Sequence, residues 1–387
     1  MMDCIKDNLI NRFVKLYGRI PQVFFSPGRV NLIGEHTDYN SGYVMPFAIN
    51  KGTFISIATR SDNVVNVYSE NLDDSTSFNI NEIKQEVSNT WQNYIKGVIN
   101  IIKLDFHNDI KGADIYIFSD LPFGAGLSSS ASLNTALAYA YNEIYKLNIS
   151  KLELAEIAQK VEHEYIGTKC GIMDQMACLF SEQNAATMID CNDNHCNNIP
   201  FELDNLSVLI CDTNIKHNLA DSAYNERRQV CEDIARFNNI KSLRELDIQK
   251  LEHTKANFKN EDYKLALHVY TENQRVIDAT NAMISKDWND LGNLMYQSHN
   301  SLKNDYKVSC NELDYLVELS QSFAGVYGAR MTGGGFGGST IHLLPTKLLK
   351  DYTDYLEKNY FEKFNIKPTF YISKACQGTH IICGKNN

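Results

Sequence analysis

Hydrophobic and polar positions alternate in short runs near the start of the chain. Residues 52–60 and 63–70 change character with a period of two, which predicts strands because successive side chains of a strand point to opposite faces. Residues 113–122 predict a further strand that ends in a turn. Residues 90–104 have the spacing of an amphipathic helix, and residues 130–147 predict a long buried helix rich in Ala and Leu. The first third is therefore predicted to be mostly strand, with helices following.

The remainder of the chain mixes both kinds of element. A helix predicted over 150–167 has Ser150 as its N-cap, and Glu153 completes a capping box. Beyond residue 205 the patterns predict strands at 206–213, 339–344 and 368–373, and helices within 219–322 and near 347–359. Because strands and helices follow no strict βαβ rhythm, we expect an α/β fold of the mixed α+β kind, in two lobes.

A polar stretch near residues 185–205 is the best candidate for the boundary between the lobes. It follows the helix predicted over residues 150–167 and precedes the strand predicted over residues 206–213. We therefore expect an N-terminal lobe over residues 1–195 and a C-terminal lobe over residues 196–387.

Charge and composition narrow the class of protein. The chain has 387 residues and a formal net charge of -10, which disfavours a general nucleic-acid binder. An anionic ligand would need local positive potential, from a helix N-terminus or a few cations. The sequence has no signal peptide and no window of about 18 apolar residues that would suit a membrane helix, so we expect a cytoplasmic protein that does not bind membranes.

The ten cysteines form no CxxC pair, which indicates reduced thiols rather than a disulfide framework. Cys191, His195 and Cys196 are close in sequence, but a zinc site needs four ligands and no second half is present at a suitable spacing. We interpret this segment as a polar surface loop.

The most informative stretch is GRVNLIGEHTDYNSGYVMP, which begins at Gly28. Glu35, His36 and Asp38 offer acceptors and donors on what is predicted to be an irregular, glycine-flanked segment, and carboxylates bind sugar hydroxyls because each can accept from two of them. Arg29 could face a phosphoryl group that is being transferred. The alternative is an internal ion pair of Arg29 with one of the carboxylates.

A second stretch, LPFGAGLSSSAS, runs from the end of a strand into a helix. Gly124 and Gly126 allow a tight turn and close approach of the backbone, and the serines lie beside the free N–H groups of the helix start, so the segment is suited to a phosphate. It lacks the lysine of a Walker loop, and Ser129 replaces the third glycine of a dinucleotide fingerprint. The alternative is a helix that serine merely caps.

Two further segments carry candidate chemistry. Five glycines surround Phe336 between residues 333 and 338, which indicates close packing or ligand contact, or else a flexible turn. Glu162 falls late in a predicted helix, and Asp174 at the start of the next. Asp174 suits a catalytic base or an anchor for a substrate hydroxyl, with Glu162 holding a metal; the alternative for Asp174 is a helix cap.

Together these stretches resemble the galactokinase family of the GHMP kinase superfamily, over nearly the whole chain and in the expected order. The first stretch is similar to the family signature, LPFGAGLSSSAS to the superfamily phosphate loop and TGGGFGG to its third motif; CGIMDQ and DSAYNERR are further landmarks. The resemblance implies a two-lobed fold, with a mixed-sheet N-terminal lobe and a ferredoxin-like C-terminal lobe. It also implies that ATP, with Mg²⁺, phosphorylates the anomeric hydroxyl of galactose.

The resemblance assigns roles residue by residue. Asp174 matches the catalytic aspartate and Arg29 its partner. The implied sugar-binding residues are Glu35, His36, Thr37, Asp38, Gly171 and Tyr224. The implied nucleotide-binding residues are Ser69, Gly124, Ala125, Gly126, Leu127, Ser128, Ser129 and Ser130, with Trp91 and Tyr94 near the adenine. Ser130 and Glu162 match the magnesium ligands.

The sequence leaves two alternative functions open. One is a kinase for a related sugar, such as N-acetylgalactosamine or arabinose. The other is a galactose sensor without catalytic activity, although such proteins lose a Ser-Ala pair that is present here as Ser130 and Ala131. In each case the expected partners are small molecules, and we expect a monomer.

Overall fold

The computed structural model describes residues 2–86, 90–106, 109–122, 124–216 and 220–383. The helices are α1 (Met2–Tyr17), α2 (Trp91–Ile101), α3 (Ser129–Tyr145), α4 (Lys151–Val161), α5 (Met173–Phe180), α6 (Ala220–Phe237), α7 (Ile248–Asn257), α8 (Asn260–Ile284), α9 (Trp288–Ser301), α10 (Asn311–Ser322) and α11 (Leu349–Phe364). The strands are β1 (Gln22–Asn31), β2 (Tyr43–Val44), β3 (Pro46–Thr59), β4 (Val64–Ser69), β5 (Asp74–Asn79), β6 (Ala113–Ser119), β7 (Ala185–Asp190), β8 (His195–Pro200), β9 (Leu206–Lys216), β10 (Gly328–Thr332), β11 (Gly337–Pro345), β12 (Thr369–Ser373) and β13 (His380–Cys383).

A six-stranded mixed sheet forms the centre of the first lobe, in the order β13-β1-β3-β6-β4-β5. Neighbouring strands are antiparallel except β4 and β6, which are parallel. The alternation of β3 explains how both faces are covered: Ile55 and Ile57 pack on the core with α2 to α5, whereas Phe54 packs with α1. The strands and helices predicted in this lobe are confirmed, and so is the capping box of Ser150 and Glu153.

A four-stranded antiparallel sheet, β10-β11-β9-β12, forms the centre of the second lobe. Leu209 and Cys211 of β9 face α10 and α11, whereas Val208 and Ile210 face the core shared with β1 and β3. The mixed α/β class in two lobes is thus confirmed. No helix in the described ranges has the length and apolar content to cross a membrane.

Three features differ from the pattern-based reading. No strand was predicted around Arg29, where β1 continues to Asn31 with a register shift between Pro27 and Arg29; the segment predicted to be irregular at Glu35 to Asp38 lies beyond the end of β1. Pro27 and Gly28 conceal this strand in the sequence. Gly28 is required because a Cβ there would lie 2.5 Å from the Leu127 carbonyl oxygen of the glycine-rich loop before α3.

The other differences concern strands of the second half. β10 was not predicted, because its sequence, GARMT, has no clear alternation. The polar stretch near 185–205 contains the β7–β8 hairpin, which pairs with β2 in a three-stranded sheet. Strand β13 returns to pair with β1 of the first sheet, so the division at residues 195 and 196 stays a prediction.

Candidate active site

Two cavities meet at a pair formed by Arg29 and Asp174, which line both of them. The inner cavity has a volume of about 170 Å³ and is also lined by Glu35, His36, Asp38, Cys170, Gly171 and Tyr224. The outer cavity has a volume of about 460 Å³ and is also lined by Gly124, Gly126, Leu127, Ser128, Ser129 and Ser130. The loop from Gly333 to Phe336, between β10 and β11, borders both.

Arg29 is buried and connects Asp174 of α5 to the glycine-rich loop before α3. Its Nε and Nη2 lie 2.8 and 2.7 Å from Asp174 Oδ1, and its Nη1 donates to the Gly126 carbonyl oxygen at 2.7 Å. Burial alone would lower the pKa of Arg29, but the carboxylates of Asp174 and Glu35 raise it above its ordinary value. The guanidinium is therefore a fixed positive charge beside Asp174.

Asp174 lies in the first turn of α5, as predicted, but its other oxygen is held by Ser128. The Ser128 hydroxyl donates to Asp174 Oδ2 at 2.5 Å. Ser128 has a left-handed backbone, with φ of 60°, and its side chain makes no capping bond to α3. The simple capping role considered for the serines therefore does not describe Ser128, because its hydroxyl points to the carboxylate.

Glu35 links the two lobes below the inner cavity. Its Oε1 accepts from the Gly333 backbone N–H at 2.7 Å and lies 3.4 Å from Arg330 Nη1. Burial raises the pKa of Glu35, although the nearby charges of Arg330 and Arg29 act against this. Part of its capacity to accept hydrogen bonds is thus already used within the protein.

Asp38 and Gly171 are in close contact across the inner cavity. A Cβ on Gly171 would lie 2.0 Å from Asp38 Oδ2, so only glycine leaves room for this carboxylate. Burial, followed by the neighbouring charge of Asp174, raises the pKa of Asp38 to about 7. Its carboxylate can therefore gain or lose a proton near neutral pH.

His36 lies beside Tyr224, with ring centroids 5.4 Å apart. Its Nδ1 is 2.8 Å from the Tyr39 hydroxyl and its Nε2 is 3.2 Å from the Gly334 carbonyl oxygen. Burial lowers the pKa of His36 to about 3, so the imidazole is neutral at physiological pH. It is available for hydrogen bonding rather than for charge pairing.

Thr37 differs from its neighbours in the signature. It does not line the inner cavity, and its hydroxyl lies within donating distance of two carbonyl oxygens, those of Gly34 at 2.9 Å and Tyr43 at 2.6 Å. The side chain closes the loop between β1 and β2. A sugar contact for Thr37 stays a prediction, and its hydroxyl is engaged in holding the loop.

Glycines give the outer cavity its shape. Gly124 and Gly126 both have φ of 74°, in the region that favours glycine. The facing loop also approaches closely, because a Cβ on Gly333 would lie 3.2 Å from the Gly126 carbonyl oxygen. Ser339 of β11 fixes the loop by donating to the Ala125 carbonyl oxygen at 2.7 Å. Backbone groups therefore dominate this cavity.

A third cavity of about 250 Å³ opens beside the outer one and shares Ser129 and Ser130 with it. It is lined by Ser69, Trp91 and Tyr94, the three residues expected near a nucleotide. Because Ser129 and Ser130 line both cavities, one ligand could occupy them together. Its anionic end would lie in the outer cavity and its apolar end in the third.

Glu162 lies at the end of α4 and is buried. It does not line any of the three cavities described above. Burial raises the pKa of Cys170, and the charges of Glu162 and Asp174 raise it further, so both carboxylates act on the same thiol of the inner cavity. The nine cysteines whose side chains are described are free thiols.

Sequence reasoning missed a set of buried polar residues on α8. Glu272 Oε1 accepts from the Gly34 N–H at 2.9 Å, Asn273 Oδ1 accepts from the Tyr43 N–H at 2.8 Å, and His268 Nε2 donates to the Glu35 carbonyl oxygen at 3.1 Å. These residues hold the backbone of the signature loop from the second lobe. His268 and Glu272, four residues apart, lie on one face of the helix, and this spacing was the available signal.

Family models match three parts of the chain. The galactokinase galactose-binding signature matches residues 11–59, the GHMP kinases N terminal domain matches residues 93–182, and the GHMP kinases C terminal model matches residues 279–353. The first of these matches contains the part of the inner cavity contributed by β1 and its loop.

Whole-length comparisons agree with these models. The chain is 40% identical to a galactokinase of Mannheimia succiniciproducens, covering 97% of this chain and 99% of that protein, and 39% identical to one of Actinobacillus pleuropneumoniae, covering 96% and 98%. Among solved structures it is similar to Lactococcus lactis galactokinase complexed with galactose, with a TM-score of 0.93, 36% identity and coverage of 97% and 99%. A Methanococcus jannaschii mevalonate kinase, 23% identical with a TM-score of 0.63 over 92% of this chain and 99% of that one, shares the fold.

Proposed function

The chain belongs to the galactokinase family of the GHMP kinases, and we propose that it transfers the γ-phosphoryl group of ATP to the anomeric hydroxyl of D-galactose. The product is α-D-galactose 1-phosphate, so the reaction is the first phosphorylation step of galactose catabolism. The family makes the chain a sugar kinase that uses ATP. The residue roles below are our own assignment.

One observation carries the assignment: the Arg29–Asp174 pair lies where the inner and outer cavities meet. A kinase must bring an acceptor hydroxyl to the terminal phosphoryl group, and this is the point at which ligands of the two cavities would touch. Phosphoryl transfer depends mainly on positioning and on stabilising charge, which a fixed guanidinium and a fixed carboxylate supply.

The inner cavity suits a monosaccharide. Its volume is small, and carboxylates, an imidazole and a phenol from Asp38, Glu35, His36 and Tyr224 converge on it. The hydroxyls of a sugar can donate to carboxylates and accept from the imidazole N–H. The Lactococcus lactis relative was solved in complex with galactose, which supports galactose as the sugar. We place it in the inner cavity with its anomeric hydroxyl toward Asp174, because Asp174 faces the outer cavity as well.

In the reaction, Asp174 orients the anomeric hydroxyl and accepts its proton at a carboxylate oxygen. Arg29 stabilises negative charge on the attacking oxygen and on the phosphoryl group. The loop from Gly124 to Ser130 and the start of α3 bind the phosphates through backbone N–H groups. The adenine end of ATP occupies the third cavity, against Trp91 and Tyr94.

Ser130 and Glu162 both carry the oxygen atoms that Mg²⁺ prefers, and Ser130 lines the outer and third cavities whereas Glu162 lines neither. Mg²⁺ is held in such sites by one or two oxygen ligands together with substrate phosphates, and in the described residues no group of three or more His, Cys, Asp or Glu side chains could hold a metal without them. Ser130 would offer its hydroxyl between the outer and third cavities, and Glu162 its carboxylate. When bound, Mg²⁺ neutralises charge on the phosphates.

The test is ADP release with Mg²⁺ and ATP, sugar by sugar, with phosphorus NMR to identify the phosphorylated position. We expect turnover with galactose that yields the 1-phosphate. Turnover only with N-acetylgalactosamine or arabinose would change the substrate and keep the reaction. Tight galactose binding without ADP from any sugar would contradict the kinase and favour the sensor.

A further inference from the structure

A chain of hydrogen bonds runs from the inner cavity into the second lobe. It begins at the Gly334 carbonyl oxygen, 3.2 Å from His36 Nε2, and continues from His36 Nδ1 to the Tyr39 hydroxyl at 2.8 Å. The Tyr39 hydroxyl lies 2.8 Å from that of Tyr306, which is 3.3 Å from Cys231 Sγ. The chain therefore joins the signature loop, the β10–β11 loop, α6 and the turn after α9.

The hydrogen bonds of this chain can be directed in only two ways. Each hydroxyl has one proton to donate, and a neutral imidazole donates from one nitrogen and accepts at the other. Either every donor points toward His36, with the proton on Nε2, or every donor points away from it, with the proton on Nδ1. The residue at the cavity end decides between them.

Gly334 supplies a carbonyl oxygen, which only accepts. With the proton on Nδ1, the lone pair of Nε2 would face this oxygen and both would lack a donor in a buried place. With the proton on Nε2, Gly334 accepts from His36, His36 Nδ1 accepts from Tyr39, Tyr39 from Tyr306 and Tyr306 from the Cys231 thiol. Burial lowers the pKa of His36 to about 3, which leaves no doubly protonated ring at neutral pH.

We propose that Tyr39 and Tyr306 are positioning residues that hold His36 as the neutral tautomer with its proton on Nε2, so that the inner cavity receives a hydrogen-bond donor from the imidazole. Tyr306 is suited to this because it is fully buried, and its backbone carbonyl oxygen accepts from Arg227 Nε at 2.9 Å. Gly334 and His36 both line the inner cavity, so a ligand oxygen beside His36 shares the Nε2 proton with the Gly334 carbonyl oxygen. The ligand oxygen then accepts from the imidazole and can donate its own proton to a carboxylate.

The effect on sugar affinity rests on the proposed function, whereas the tautomer itself does not. The first measurement is therefore a nitrogen NMR spectrum of the unliganded, ¹⁵N-histidine-labelled protein at neutral pH. Loss of one set of signals in His36→Gln identifies His36. We expect a pyrrole-like Nε2 and a pyridine-like Nδ1; the reverse pattern, or two protonated nitrogens, would overturn the proposal whatever the activity.

The second measurement is galactose KM in two conservative variants. Tyr39→Phe keeps the ring but leaves Nδ1 without a donor, and we expect galactose KM to rise about tenfold, with ATP KM unchanged and the His36 nitrogen signals shifted. Tyr306→Phe leaves Tyr39 able to donate, so we expect a rise of about twofold. An unchanged galactose KM in Tyr39→Phe would contradict the role in sugar binding.

The protein contains a matched control. The Tyr352 hydroxyl lies 2.7 Å from His342 Nδ1, both residues are fully buried, and neither lines the inner or outer cavity. Tyr352→Phe thus removes the same kind of contact elsewhere, and we expect it to lower Tm without changing galactose KM. If Tyr352→Phe raised galactose KM as much as Tyr39→Phe, the effect would be one of general stability and the proposal would fail.

Discussion

The inner and outer cavities share Arg29 and Asp174 but are built in different ways. Side chains form the inner cavity, and buried groups behind them hold them: the Gly333 backbone N–H donates to Glu35, and the Tyr39 hydroxyl lies 2.8 Å from His36 Nδ1. The outer cavity is formed largely by glycine backbone, with left-handed residues in both of its loops. The inner cavity is preorganised by hydrogen bonds between buried groups, and the outer cavity by backbone conformation.

This difference follows from the ligands that the two cavities are proposed to bind. A sugar is recognised by the direction of each hydroxyl, which requires fixed side-chain donors and acceptors. Phosphates are recognised by charge and by N–H groups, which glycines expose at close range. Changes behind the inner cavity should therefore alter galactose binding alone, and changes in the loop from Gly124 to Ser130, which lines the outer cavity but not the inner one, should alter ATP binding alone.

The largest effect is expected where the cavities meet. Asp174→Asn removes the proton acceptor while keeping the size of the side chain, and we expect kcat to fall by at least ~10²-fold. Asp174 lies where the two cavities meet, so the loss should be in the chemical step. Weaker binding of galactose or of ATP should not account for it. Steady-state kinetics with both substrates saturating would measure it, and near-normal kcat would remove the base assignment.

A smaller effect is expected behind the inner cavity, at Glu272. This buried carboxylate accepts from Gly34 N, Ser298 Oγ and Arg275 Nε at 2.9, 2.6 and 2.6 Å, and its pKa is about 2: burial would raise it, and Arg275 and other neighbours lower it. Glu272→Gln weakens this anchor, and we expect galactose KM to rise at least about tenfold, because hydrogen bonds to charged groups contribute about 1.5–3 kcal/mol.

The control for Glu272 lies on the same helix. Gln274 is exposed, and its side-chain amide donates to Asp278 Oδ1 on the same helix at 2.9 Å, so Gln274→Ala should leave both KM values unchanged. In Glu272→Gln, ATP KM should also stay constant. A parallel rise in ATP KM would show that the lobes, rather than the signature loop, had shifted.

In the outer cavity the matching change is Gly126→Ala. The nearest atom to an added Cβ is 3.5 Å away, so the methyl group fits, but φ of 74° disfavours it by about 1–2 kcal/mol. We expect ATP KM to rise about fivefold to tenfold and galactose KM to stay constant. Gly18→Ala is the control, because Gly18 has φ of 68° and nothing within 4 Å; it should lower Tm without affecting either KM.

Local sequence patterns predicted most elements: the alternation of β4 matches its alternating burial, and β3 and β9 were predicted from their apolar residues although both are buried along most of their length. They failed at β1 near Arg29, where Pro27 and Gly28 interrupt the pattern and Gly28 is required because another loop approaches the strand at Leu127. Such a close approach is tertiary, and one segment of sequence does not contain it.

The candidate site shows the same limit. The residue types for a sugar and a phosphate could be read from the signature and the glycine-rich loop. The partners that fix them could not: Ser128 binds Asp174 across 46 positions, Glu272 binds Gly34 across 238 and Gly333 binds Glu35 across 298. The resemblance to a family supplied roles, but it did not supply these contacts.

The smallest predicted effect is a change in galactose affinity with pH, which tests the protonation state of the inner cavity. Asp38 must be ionised to accept from two sugar hydroxyls, and its pKa is raised to about 7 by burial and by Asp174. The galactose dissociation constant, measured by calorimetry without ATP, should therefore increase about twofold between pH 8 and pH 7 as half of the carboxylates are protonated.

Asp38→Asn separates this titration from folding. The folded-state pKa of Asp38 lies above its unfolded value, so the fold favours the protonated carboxyl, and stability is lost as pH rises from about 4 to about 7. Asp38→Asn should therefore raise Tm at pH 8 while weakening galactose binding at every pH. A wild-type affinity that is flat across this range, with no Tm gain in Asp38→Asn, would mean that Asp38 is ionised throughout and that its neighbours stabilise the carboxylate more than burial penalises it.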